Sequence, residues 1–178
     1  MRMRQRRGRG QYENGDPFPG FGLQPEVEVA RPAAEKLRRG VLSDKGDQPA
    51  IIWEPNDPTE RTRVVTYNIL HKRVCQFAQV LRNNGVKKGD RVCIYMGMIP
   101  ELAIAVLACA RIGAIHSVIF GGFSAQSIAD RLQDAKAEFI ITCDGAFRGP
   151  KDIPLKNVID DALVSCPFVK RVVVYMHT

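Results

Sequence analysis

The residues best suited to holding a charged ligand lie between Ile115 and Lys156. An apolar run, Ile115 to Phe120, ends abruptly at Gly121-Gly122. Two glycines carry no Cβ, so a flat ring or a phosphate can come close to the backbone there. Ser124 then opens a segment with apolar positions at Ala125, Ile128, Ala129 and Leu132, the spacing of a helix face. A second apolar run, Phe139 to Cys143, leads into a loop carrying Arg148 and Lys151. The order is strand, glycine turn, helix, strand, basic loop. Ligands of open parallel sheets sit beyond the carboxyl ends of the strands, and both the turn and the loop fall at such ends. The pattern implies a ligand with an anionic group placed across two neighbouring strand ends. The plainer alternative is a tight turn and a solvated arginine, because short motifs of this kind also occur with no ligand.

Other reactive side chains have simpler readings. His116, within what reads as a buried strand, is expected to be a hydrogen-bonded core histidine. His71 is expected to face solvent on its helix. Asp160-Asp161 reads as a solvated helix face and not a metal pair, and Trp53 as core. The five cysteines, Cys75, Cys93, Cys109, Cys143 and Cys166, form no C-x-x-C pair and show no histidine at metal-ligand spacing. Four of them lie in apolar patterns, where a free thiol behaves as a small hydrophobe. An odd thiol count suits a reducing compartment.

These residues must be held by a larger frame. The net charge of +7 is concentrated in Arg2, Arg4, Arg6, Arg7 and Arg9, so the basic character describes a leader and not a binding face. Residues 1–47, rich in Arg, Gly and Pro, are expected to be disordered, with a short helix at Pro32 to Arg39. The Arg cluster is also compatible with a nucleic-acid tail or a mitochondrial presequence, but like-charge blocks are commonly disordered. Folded sequence is expected over 48–178. Ala50 to Trp53 and Val64-Val65 read as paired strands around the turn Asn56-Asp57-Pro58. Thr66 caps a helix that Gly85 stops. Strands are expected at Arg91 to Met96, Ile115 to Phe120, Phe139 to Cys143 and Val169 to Tyr175. Helices from Pro100, Ser124 and Pro154 separate them. The alternation predicts an α/β fold, a mostly parallel sheet with helices on both faces. No covering helix follows the final strand, so the sheet is expected to be incomplete, with an exposed edge through which the isolated chain would self-associate. The apolar run Leu102 to Ala110 is far short of the ~20 residues that span a bilayer, and the balanced charge of residues 48–178 argues against a nucleic-acid partner.

Longer stretches carry a resemblance. QPAIIWE, VTYNIL, GVKKGDRVCIYM, PELAIAVLACARIGAIHSVIFGGFSAQSIADRLQDA, FIITCDGAFRG and IPLKNVIDDAL are similar to the AMP-forming acetyl-CoA synthetases of the acyl-adenylate-forming superfamily. The likeness covers about residues 46 to 178 and corresponds to the N-terminal part of the family's large domain. It implies a ligase that joins acetate to CoA through acetyl-AMP, with CoA, acetate and Mg-ATP as substrates of the full-length family. It further implies that Phe120, Gly121 and Gly122 line the CoA adenine site. Arg148 would meet the 3′-phosphate with Lys151 beside it, and Ile153 and Pro154 would lie against the adenine. The family's Thr/Ser/Gly-rich phosphate loop ending in Pro-Lys-Gly is not found in these residues, nor are the ATP and Mg sites or the lid lysine. The expectation is a partial copy that holds part of the CoA site and is inactive alone. Open alternatives are a propionate–CoA ligase and a stand-alone CoA- or nucleotide-binding module. A cytoplasmic location is expected, with a mitochondrial one less favoured.

Overall fold

The computed structural model describes residues 35, 37–39, 41, 44–57, 59–149 and 151–178. The leader over residues 1–34, and with it the start of the Pro32–Arg39 helix, lies outside the described residues. Glu35, Leu37, Arg38, Arg39 and Val41 are helical and stand upstream of the composition break near Gln48. Leu37 is buried with Val65, Leu70, Val74 and Ile104, and Val41 packs against that small cluster.

β1 (Pro49–Trp53) and β2 (Arg63–Thr66) pair antiparallel, as their apolar runs and intervening turn predict. Thr66 is extended, and its hydroxyl accepts the Ile69 N–H, which satisfies one free donor in the first turn of α1 (Tyr67–Asn83). α1 buries Leu70, Val74, Ala78 and Leu81, one stripe at helical spacing. The main frame then alternates. β3 (Arg91–Met96) leads to α2 (Pro100–Ile112), β4 (Ile115–Phe120), α3 (Ala125–Ala135) and β5 (Phe139–Cys143). α2 starts on a proline, whose missing N–H has no partner to lose, and stops at Gly113 with φ +76°.

Four strands form one parallel sheet in the order β4-β3-β5 and, last, β8 (Arg171–Tyr175). Right-handed crossovers put α2 on one face, with α1 beside it, and α3 and α4 (Leu155–Leu163) on the other. β3 and β5 are buried almost throughout, in keeping with their unbroken apolar runs. Cys93, Cys109, Cys143 and Cys166 are buried free thiols, and burial pushes Cys93 and Cys109 up to about 12.

Three sequence expectations change. β4 and β5 are not neighbours, because β3 lies between them. β4 is therefore an edge strand, with Ile115, Val118 and Phe120 exposed, and His116 is half-buried on it and not in the core. An apolar run alone cannot distinguish an edge from a centre. The basic loop is itself ordered: β6 (Ala146–Arg148) and β7 (Lys151–Ile153) form a short antiparallel hairpin.

That hairpin crosses the carboxyl end of β3. A Cβ built on Gly97, just past β3, would stand 2.8 Å from the Ala146 Cβ. Overpacking of this kind costs on the order of 1–3 kcal/mol. Gly97→Ala should lower the thermal midpoint accordingly, as followed by circular dichroism. An unchanged midpoint would mean that the hairpin is free to lift away.

Candidate functional site

The glycine turn is held from below by its neighbours. A Cβ on Gly121 would lie 3.3 Å from the Met96 carbonyl oxygen and 3.8 Å from Leu155 Cδ2, so the turn packs on the end of β3 and the first turn of α4. A Cβ on Gly122 would lie 3.5 Å from the Phe120 ring and 3.8 Å from Arg148 Nη1. Neither glycine is among the residues of positive φ. What the pair supplies is close approach, not an unusual turn angle. Beneath it, the Tyr95 hydroxyl donates to the Phe123 carbonyl at 3.2 Å.

The turn and the basic hairpin thus meet, even though β3 separates their parent strands. Arg148 and Lys151 are register partners across the hairpin, so both cations project from one short element. Both are exposed, and among the described residues neither is paired with a carboxylate. Phe120, 59% exposed, offers an aromatic face beside Gly122, on the side where Arg148 Nη1 also stands. Of the residues expected from sequence, Phe120, Gly121, Gly122 and Arg148 come together. Ile153 is half-buried and packs on the core, and exposed Pro154 precedes the α4 residue that touches Gly121. An exposed aromatic face, glycine backbone and an uncompensated guanidinium can stack a flat ring and fork onto a phosphate.

The far side of the hairpin is braced. Asn56 donates through Nδ2 to the Gly149 carbonyl at 2.8 Å. Asp144 Oδ1 accepts the N–H groups of His177 at 2.7 Å, Gly145 at 2.9 Å and Thr178 at 3.3 Å. Burial pushes this carboxyl up, but the backbone hydrogen bonds outweigh burial and hold it below its ordinary 3.8. The His177 ring sits edge-on to Trp53 and Phe147, at 6.3 and 6.0 Å. Trp53 is half-buried, and its indole N–H donates to the Met98 carbonyl. Sequence reasoning passed over Tyr95 and Asp144. An aromatic inside the apolar run VCIYM reads as core, and an aspartate after a strand reads as a turn.

The remaining candidates do less. His71 is half-buried, not solvent-facing, and lies 3.5 Å from the Cys75 thiol one helical turn on, so one Cys–His contact does exist at a spacing the sequence reading discounted. Burial lowers the His71 pKa and raises that of Cys75. Among the described residues no cluster of three or more His, Cys, Asp or Glu is placed to hold a metal. Asp160 and Asp161 are exposed, and Asp160 pairs with Lys156. A cavity of about 450 Å³ lies at the amino ends of the strands, beside Lys87, Glu138 and Lys170, the wrong end for a parallel sheet. A groove of about 420 Å³ over Phe77, Val80, Ile141 and Val173 is a mostly apolar stretch of sheet face. No helix among the described residues is long and apolar enough to cross a membrane.

A mostly parallel α/β sheet with a glycine turn and a cationic hairpin over its carboxyl ends places the chain in the open α/β class, whose ligands sit at that end of the sheet. The profile of the AMP-binding enzyme family matches residues 39–176, and the chain belongs to that family. Among curated relatives, it is 56% identical over 137 residues to an acetyl-coenzyme A synthetase of Parvibaculum lavamentivorans. It is 55% identical to one of Alkalilimnicola ehrlichii, a match covering 77% of this chain and 21% of that relative. A third, from Nostoc linckia, is 53% identical, with 77% and 40% covered. The chain therefore spans about a fifth of the length of most of these relatives, 21% in the Alkalilimnicola case. Among solved structures, an acetoacetyl-CoA synthetase from Streptomyces lividans superposes with a TM-score of 0.72 at 29% identity, covering 79% of this chain and 21% of that one.

The Asp144 staple yields a pH prediction. Its folded pKa is depressed, so its contribution is complete above 3.8 and is lost as pH falls through the folded value. Asp144→Asn should be less stable than wild type at neutral pH, and the gap should close in acid. Urea melts at several pH values check this, and a gap independent of pH would contradict it.

Proposed function

We propose that this chain supplies part of the CoA site of an acetate–CoA ligase, which makes acetyl-CoA from acetate, ATP and CoA through acetyl-AMP. One observation carries the reading: Arg148 Nη1 stands 3.8 Å from the Cβ position of Gly122, so cation and open backbone share one surface. The reaction has two steps. An acetate oxygen attacks the α-phosphorus of ATP and pyrophosphate leaves. The CoA sulfur, its proton removed, then attacks the acetyl carbon and AMP leaves.

The residues here act in the second step, by holding CoA. Phe120 and the Gly121-Gly122 backbone take the adenine. Arg148 meets the 3′-phosphate through its planar fork, and Lys151 adds a point charge beside it. Ile153 and Pro154 close the adenine side. No step of adenylation is assigned to these residues. They contain no phosphate loop, and no cluster of ligands among those described fits Mg²⁺. The similarity to acetyl-coenzyme A synthetases supports acetate as the acyl substrate. A cytoplasmic location accords with bacterial relatives of this kind.

Arg148→Glu tests the assignment. Losing one charge-assisted contact costs about 1.5–3 kcal/mol, so CoA should bind roughly tenfold to a hundredfold more weakly in calorimetric titration of the chain. Acetate-dependent exchange between ATP and pyrophosphate should sit at background for wild type and variant alike. Unchanged CoA affinity in the variant would leave the hairpin as a solvated turn.

The sheet edges carry a second expectation. β4 and β8 are the outer strands of the parallel sheet, and Ile115, Val118, Phe120 and Met176 are exposed at or beside them. Unpaired edges of this kind template association. Size-exclusion chromatography with multi-angle scattering should show oligomers. A sharp monomer peak with a cooperative melt would contradict it.

A further inference from the structure

We propose that Tyr95 is a positioning residue that fixes the Gly121-Gly122 turn in its nucleotide-accepting form. The inference rests on the CoA reading above. Tyr95 is fully buried in the central strand β3, and its ring is part of the core. Its hydroxyl donates to the Phe123 carbonyl at 3.2 Å, and the Phe123 N–H in turn closes the glycine turn onto the Phe120 carbonyl at 3.3 Å. Tyr95 therefore holds the last residue of the turn from below.

The turn needs this because its own residues offer no side chain to anchor it. Two successive glycines leave the chain with more conformational freedom than any other pair, and ordering them costs correspondingly more. A buried phenylalanine would fill the same core volume but leave the Phe123 carbonyl without its donor. Burial raises the phenol pKa, so the donor proton stays in place. The anchor is rigid in turn: Thr142 Oγ1, on β5, donates to the Tyr95 carbonyl at 2.8 Å. Tyr95 thus links the two innermost strands to the backbone that faces Arg148.

The test compares wild type, Tyr95→Phe and Val74→Ala. CoA affinity is measured by calorimetry, amide exchange at Gly122 and Phe123 by NMR, and stability by thermal melting. Tyr95→Phe should bind CoA about tenfold more weakly, the size of one lost hydrogen bond. Exchange at Phe123, whose N–H closes the turn, should rise severalfold. Val74→Ala hollows the separate core cluster beneath α1, so it should destabilise the fold yet leave CoA affinity unchanged. Equal weakening by both variants would make Tyr95 merely structural and overturn the proposal. So would unchanged affinity in Tyr95→Phe. If wild type binds no CoA while Tyr95→Phe still loosens Phe123, the nucleotide reading fails and the clamp belongs to the fold alone.

Discussion

Gly97 and Ala146 approach each other so closely that a methyl group on Gly97 would fall 2.8 Å from the Ala146 side chain. This contact is where the β6–β7 hairpin lies across the end of β3. The sheet order places β3 between the strand that ends in the glycine turn and the strand that leads to the hairpin. Without a crossing at that point, Arg148 and Gly122 would remain a full strand apart. In a doubly wound sheet the crevice opens where the strand order reverses, here beyond β3 and β5. The hairpin packs against the end of β3 there, and Phe120 at the end of β4 stays exposed.

A second set of interactions keeps the hairpin down from outside. Glu101, at the start of α2, is mostly buried and accepts from Arg63 of β2 at 2.7 Å and from Arg73 of α1 at 3.4 Å. It ties three elements together, so losing it would strand two arginines beside a partly desolvated site. The β1–β2 unit fixed in this way sends Trp53 to the Met98 carbonyl and Asn56 to the Gly149 carbonyl. Asp144 gathers the chain just past β8 onto the end of β5. Core, ion pairs and loop staples therefore converge on the position of one exposed arginine.

Much of this frame is legible in the residues. Thr66 and Ser124 cap their helices, Pro100 starts one and Gly113 ends one, each for a local reason that needs no tertiary information. Strand order is different, because it depends on which apolar faces meet. IHSVIF and FIITC look alike as strings, yet one is an edge with Phe120 exposed and the other is wholly buried. The hairpin was missed because strands of three residues are too short to show a period. Arg148 and the two glycines were legible as chemistry, since cation and open backbone are properties of residue type. Tyr95 was not, because its hydroxyl matters only once the turn is folded above it.

The central claim is that turn and hairpin form one surface for a nucleotide carrying an extra phosphate. Nitrogen-15 NMR of the labelled chain tests it directly, by titration with CoA and with dephospho-CoA, which lacks only the 3′-phosphate. The account predicts that CoA shifts the Gly122 amide and the Arg148 Nε–H together. Dephospho-CoA should shift Gly122 and leave Arg148 nearly unmoved. Shifts at Arg148 that are the same for both ligands, or a Gly122 amide that responds to neither, would contradict it.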